Sequence, residues 1–331
     1  MINGKNNLAK KIPNIVKEIR NNPPTPLNYA YQKNVSYSQM NIFRGCPHRW
    51  KLQYKDKIKR FTSSIHTVFG TAVHEAMQHY LDVAYDKSFA AAGREINMEE
   101  YFQQAYINEY QSQYKSNKNS HFSDAEEMRE FFEDGVAILE WFKKKRSAYF
   151  NKKGTYLVGC EIPIIVAPNK ALNNVLYMGY LDVVTYHEGT DTFKIIDIKT
   201  STKGWSDYAK KDEDKQYQLL LYKQYFSEQY NIPLDKIEIE FFILKRKVLD
   251  ADDENLLSPY QAYRVQQFTP PNGKTSLSRT RNAVGDFISK CFNSNGDIKD
   301  VPYHKTPSKW TCNFCPYKED MELCGAGLDF A

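Results

Sequence analysis

The spacing of apolar positions along this chain changes several times, and each change marks an element. From residue 156 to 200 it has the period of two that a strand requires, in YLVGCEIPIIV, VLYMGYLDVVTY and TFKIIDIKT. Turns at Ala167–Asn174 and Glu188–Asp191 separate these runs, so a three-strand meander is expected. IEIEFFILKRK and AYRVQQFTP predict two further strands. Upstream, FGTAVHEAMQHYLDVAY spaces Val73, Met77, Tyr80, Leu81 and Ala84 as one helical stripe, with His74 at its border. That helix is expected to open at Gly70-Thr71. Two charged helices are predicted over 99–149, the second acidic at its start and basic at its end, as the helix dipole favours. Further helices are expected from Ser206 to Tyr230, with Gln218 and Tyr222 on one face, and from Ser276 to Phe292. Ser36 with Gln39 resembles a capping box, and Pro47 favours a new helical start after Cys46. Residues 1–34 are rich in Lys and Asn and interrupted by Pro23, Pro24 and Pro26, which predicts a solvated basic arm.

The meander carries the costly residues. Asp182 lies in its second strand and Asp197 in its third, each among apolar neighbours, and Glu161 lies in its first. Alternation puts Asp197 and Lys199 on one face, with Ile196 and Ile198 on the other. A carboxylate and an ammonium inside an apolar strand cost free energy unless something binds them. Two carboxylates on adjacent strands form a hard oxygen site suited to Mg²⁺ or Mn²⁺. A lysine beside them can hold a water or offset charge on a phosphate, which together are the parts of phosphodiester hydrolysis. Taken alone, Asp197-Ile198-Lys199 reads as an ordinary strand ion pair.

Composition narrows the classes. The chain has 331 residues, 41% hydrophobic and 26% charged, an ordinary globular balance, and 14% aromatic residues argue against disorder throughout. A net charge of +5 permits a polyanionic partner without requiring one. No apolar run approaches the roughly 18 residues of a membrane span, and the N-terminus lacks the apolar core of a secretory signal. A cytoplasmic, reducing setting is therefore expected, and the six cysteines are not a disulfide scaffold. Cys160 and Cys291 fall in apolar patterns that suit inert buried thiols. Cys312-x2-Cys315-x8-Cys324 crowds the end of the chain, and Cys46 is the natural fourth thiolate for zinc or an iron–sulfur cluster. Around Cys46, the run Arg44, Arg49, Lys51, Lys55, Lys57, Lys59 and Arg60 reads either as a track for a nucleic-acid strand or as a solvated face.

The order of elements resembles the RecB-like branch of the PD-(D/E)XK nuclease superfamily. Four short words carry the likeness: GTAVHE (Gly70 to Glu75), GYLD (Gly179 to Asp182), DIKT (Asp197 to Thr200) and QLLLY (Gln218 to Tyr222). The resemblance implies that His74, Asp182, Asp197 and the main-chain carbonyl of Ile198 hold Mg²⁺ or Mn²⁺. It implies that Lys199 positions or activates water, that Gln218 steadies the site and the DNA backbone, and that Tyr222 lines the same surface. Glu161 has no firm counterpart and is a candidate for the surrounding shell. One cysteine before a nuclease core and three after it resemble the iron–sulfur staple of AddB-type and CRISPR adaptation nucleases, so Cys46, Cys312, Cys315 and Cys324 are expected to hold a structural [4Fe–4S] cluster in preference to zinc.

The expected fold is α/β, a restriction-endonuclease-like core with a central mixed sheet flanked by helices, an N-terminal helical layer and a C-terminal iron–sulfur segment. The expected parts are a basic arm (1–35), a helical region with Cys46 and His74 (36–150), the nuclease core (151–270) and a C-terminal helix with the cluster segment (271–331). The expected function is metal-dependent DNA cleavage, exonucleolytic on single-stranded or end-processed DNA, leaving a 5′-phosphate and a 3′-hydroxyl. Recombination, repair or phage replication, with protein partners from those processes, is the implied setting. Spacer trimming in CRISPR adaptation and a non-catalytic iron–sulfur DNA-binding module are the alternatives. No membrane partner is expected.

Overall fold

Strand β3 (Val175–His187) is the axis of a six-stranded mixed sheet. The computed structural model describes residues 12–150, 153–249, 252–254 and 258–325, so the first eleven residues of the expected arm lie outside them. The elements before β3 are α1 (Asn14–Asn21), β1 (Lys33–Val35), α2 (Tyr37–Gly45), α3 (Pro47–Trp50), α4 (Ile65–Asp86), α5 (Phe89–Glu95), α6 (Met98–Ser116), α7 (Ala125–Lys145) and β2 (Thr155–Val166). After it come β4 (Thr192–Ser201), α8 (Asp207–Lys211), α9 (Glu213–Tyr230), β5 (Ile237–Lys245), β6 (Val265–Phe268), α10 (Lys274–Cys291), α11 (Lys309–Asn313) and α12 (Met321–Cys324).

One edge of β3 is occupied along its length by antiparallel β2, from Thr155↔His187 to Val166↔Tyr177. The other edge is shared. Strand β1 pairs in parallel with residues 175–177, and β4 pairs antiparallel with residues 183–187. Residues 178–182 of β3 therefore face an interval with no strand beside them. Beyond β4 the sheet continues with parallel β5 and antiparallel β6.

Each face of the sheet is covered by helices, as the alternation of its apolar side chains demands. Helices α4, α6 and α7 pack over Val183, Ile196, Ile198, Phe242 and Leu244. Helices α1, α2, α9 and α10 pack over Leu181, Val184, Ile195, Phe241 and Ile243. Ile196 and Ile198 thus point to one layer while Asp197 between them points to the other. No helix among the described residues is long and apolar enough to cross a membrane.

Three local expectations are corrected. Helix α4 begins at Ile65, not Gly70, because Ser64 is extended and Ile65, Val68 and Phe69 carry the apolar stripe back a further turn. Gly70 instead permits close approach: a Cβ there would lie 3.3 Å from Thr200 Oγ1 at the end of β4. The segment from Ser206 to Tyr230 is two helices, since Asp212 leaves helical geometry (ψ 107) and its carboxylate caps the Asp214 amide at the start of α9. The described part of the basic arm is packed. Val16 and Ile19 of α1 are buried, Arg20 donates to the carbonyls of Leu157 (2.6 Å) and Val158 (3.1 Å), and residues 33–35 enter the sheet as β1. Its two aliphatics three positions apart outweigh the prolines that follow.

Candidate active site

The β3–β4 ladder stops at Val183↔Ile196, and the next opposed positions are Asp182 and Asp197. There the carboxylate of Asp182 takes over the role of a ladder acceptor: its Oδ2 receives the Ile198 amide at 2.7 Å. Asp197 is fully buried, with Lys199 Nζ 2.6 Å from its Oδ2, while the lysine side chain keeps 30% of its exposure. Neither Asp197 oxygen has an aligned hydrogen-bond partner despite that short distance. The two observations differ because an ion pair tolerates misalignment that a hydrogen bond does not, and the distance is the firmer guide to their attraction. A buried carboxylate with open lone pairs has the donor chemistry of a hard-cation site.

Electrostatics agree with that donor set. Burial pushes Asp182 and Asp197 up to about 6, with Lys199 partly restraining both. Burial also works against the Lys199 charge, but the two carboxylates outweigh it and raise the ammonium above its ordinary value. His74, on α4, is pushed down to about 4 by burial and then by Lys199, so its imidazole is neutral at pH 7, the form that binds metals. Its Nδ1 stands 3.6 Å from Asp182 Oδ2, beyond hydrogen-bond reach and without an ion pair while the ring is neutral.

The interval on β3 is filled from α9. The hydroxyl of Tyr222 accepts the Gln218 side-chain amide at 3.1 Å. A Cβ at Gly179 would come within 2.8 Å of the Tyr222 ring, so the glycine lets the tyrosine lie against the strand. Gln218, Tyr222, Asp182, Asp197, Lys199 and His74 are thereby gathered around the interval on β3.

Gln78 was not among the expected residues. One turn after His74, it donates to Glu161 Oε1 at 2.7 Å and to the Asp182 carbonyl at 3.0 Å. Glu161 falls opposite Asp182, between the pairs Cys160↔Val183 and Ile162↔Leu181, and has a left-handed backbone (φ 50), which costs free energy for a residue with a side chain. The signal available in the sequence was the four-residue spacing of His74 and Gln78 beside an apolar stripe.

Cys46, Cys312, Cys315 and Cys324 line one cavity, together with Arg49 and Leu52, and none forms a disulfide. Burial raises the Cys315 thiol, and Cys324 and Cys46 add to the effect. The tail is also fastened by hydrogen bonds: the His48 amide to the His304 carbonyl (3.2 Å), Thr306 Oγ1 to the Gly45 carbonyl (2.6 Å) and the Tyr317 hydroxyl to the Ile58 carbonyl (2.5 Å). Among the described residues, no three or more His, Cys, Asp or Glu side chains stand ready as a metal-ion ligand set. The basic run is largely neutralised internally, with Arg44 paired to Asp214, Lys51 to Asp56, Lys55 to Asp300 and Arg60 to Asp320.

Comparison with known proteins returns one family. The model of the PD-(D/E)XK nuclease superfamily matches residues 34–320. No curated protein matches the chain. Among solved structures, an exonuclease candidate from Eubacterium rectale is similar at 10% identity, over 83% of this chain and 89% of that one, with a TM-score of 0.45.

Proposed function

This chain belongs to the PD-(D/E)XK nuclease superfamily, and we propose that it is a Mg²⁺- or Mn²⁺-dependent deoxyribonuclease of the RecB-like branch, acting as an exonuclease on single-stranded or end-processed DNA. The observation that carries this reading is Asp197: fully buried, without an aligned hydrogen-bond partner, and beside Asp182, Lys199 and His74. A binding module has no use for so costly a carboxylate.

His74, Asp182, Asp197 and the Ile198 carbonyl would hold the metal, which when bound supplies a Lewis acid for the phosphate and a more acidic water. The rest is the work of the side chains. Lys199 presents an ammonium, partly open to solvent, to the attacking water and to negative charge on the phosphate. Burial holds His74 unprotonated, so it offers a lone pair and adds no positive charge to compete with the cation. Tyr222 fills the interval beside β3 and holds Gln218, which is only half-buried and supplies polar atoms to a DNA backbone passing it. Gln78 holds Glu161 and the Asp182 backbone in place.

A [4Fe–4S] cluster on Cys46, Cys312, Cys315 and Cys324 is part of the proposal. It is supported by four undisulfided cysteines around one cavity that joins the segment at Cys46 to residues 312–324. Its role would be structural. Iron content and visible absorption of anaerobically purified protein test it, and a colourless protein with stoichiometric zinc would end that part of the reading.

For the reaction, end-labelled single- and double-stranded DNA are incubated with each metal and sampled over time. The wild type should shorten DNA, and Asp197→Ala and Lys199→Ala should not. A wild type that binds DNA and cleaves none of these substrates leaves a non-catalytic DNA-binding protein instead.

A further inference from the structure

A large polar cleft of about 900 Å³ lies outside the hydrolytic site. It opens along edge strand β6, between the end of α7 and the turn before β6. Sheet register fixes its distance from the chemistry. Lys199 pairs with Ile243, and Ile243 pairs with Gln266, which lines the cleft. The rim is thus two strand spacings, about 10 Å, from the Lys199 backbone.

Its lining has an unbalanced charge. Lys145, Lys210, Lys245 and Arg264 contribute four cations, and Asp207 is the one carboxylate, 3.1 Å from Lys210. The remaining cations are not neutralised by it. Lys245 Nζ donates to the Tyr260 carbonyl, and Arg264 Nη1 donates to the carbonyls of Lys245 (3.0 Å) and Arg246 (2.8 Å), while Arg264 Nε is buried without a partner. Burial and the adjacent Arg264 push Lys245 below the usual lysine range, as expected of like charges held together. Lys245 is itself buried, so Arg264 and the exposed Lys145 are the cations left to favour an anion.

The aromatic lining specifies which anion. Tyr260 and Tyr263 are 74% and 54% exposed, edge to face at 5.7 Å, and Trp141 stands across the same cleft. Exposed rings interleaved with cations suit unstacked bases on a phosphate backbone, whereas a duplex keeps its base faces inside the stack. We propose that this cleft binds the single-stranded segment of a DNA substrate adjacent to the cleaved bond, with Tyr260 and Tyr263 stacking bases, Lys145 and Arg264 meeting phosphates, and the buried Lys245 holding the Tyr260 carbonyl. The proposal rests on the nuclease reading above and deepens it, because it assigns the strandedness of the substrate to particular residues.

Binding is measured by fluorescence anisotropy in EDTA, so that no cleavage intervenes, with a labelled oligothymidylate and a blunt duplex of equal length. Tyr260→Ala/Tyr263→Ala should weaken oligothymidylate at least tenfold, and Tyr260→Phe/Tyr263→Phe should restore it. Duplex binding should change less than twofold. Lys145→Ala should lower the salt dependence of oligothymidylate binding by about 0.7 in log–log slope. All these side chains are solvent-facing, so circular dichroism and melting should match the wild type. Oligothymidylate binding within twofold of wild type in the double alanine variant overturns the cleft assignment, even if the enzyme cleaves DNA. Equal losses for the duplex overturn it as well. Loss of oligothymidylate binding alone, in a protein whose wild type proves unable to cleave DNA, supports the cleft and sinks the nuclease reading instead.

Discussion

Replacing Asp197 by Asn should destroy cleavage and at the same time stabilise the metal-free protein at neutral pH. The asparagine keeps the volume and removes the charge, so it resembles the protonated aspartic acid. Burial raises Asp197 from 3.8 to about 6. The sign follows from that direction. A carboxyl whose folded value lies above its unfolded value favours folding while protonated, and this contribution is lost as pH rises through the folded value. At 1.36 kcal/mol per pH unit, ionising Asp197 in the folded, metal-free protein costs on the order of 3 kcal/mol above pH 6. Roughly half of that remains at pH 5 and little at pH 4. The Lys199 attraction is already contained in the raised value, because Lys199 is among its causes. Urea denaturation in EDTA at pH 5 and pH 8 should therefore show an Asn variant more stable than wild type, with the larger gap at pH 8. Mn²⁺ should close that gap by stabilising the wild type alone. Equal stabilities at pH 8, or an Asn variant that cleaves DNA as fast as wild type, would refute the account of Asp197 as a strained carboxylate kept for a cation.

Tyr222→Phe should lower both melting temperature and cleavage rate, because the Gln218 amide loses an acceptor at a cost of about 1–3 kcal/mol; an unchanged rate would remove Tyr222 from the site. Gln78→Leu should weaken Mn²⁺ binding about tenfold or more in calorimetric titration, since groups that orient ligands carry effects of that size. Unchanged affinity would leave Gln78 a packing residue. Arg20→Ala should cost about 1.5–3 kcal/mol in urea denaturation by freeing two β2 carbonyls from a charged donor, and a negligible loss would mean that α1 contributes nothing to the folded state.

The legible and illegible parts of this molecule divide along sequence distance. The strands of the meander, the Asp197/Lys199 face and the Gln218–Tyr222 pair all follow from local period, and each lies where its spacing predicts. The superfamily follows from the order of short words, because order along the chain becomes position around one sheet. Helix ends were less legible: Ser64 and Asp212 act through backbone angles that their neighbours do not announce. The packing of the arm is not legible locally because prolines speak only for their own positions, while docking of Val16, Ile19 and Arg20 depends on β2, some 140 residues away.

What remained hidden is the reason the two carboxylates meet where they do. No local pattern says that β1 and β4 share one edge of β3, since the three residues of β1 lie far upstream in a segment with no strand period. Once they share it, the consequences are forced. A continuous ladder would have excluded a side chain from this edge, where the Tyr222 ring lies against Gly179. The interval at residues 178–182 instead admits Tyr222 to the strand edge, and the end of the β4 ladder frees the Ile198 amide for Asp182. Asp197, one position past the last pair, is then buried without the alignment that would quench its charge. The strand pair supplies the carboxylates, and the missing partner beside it makes them a site.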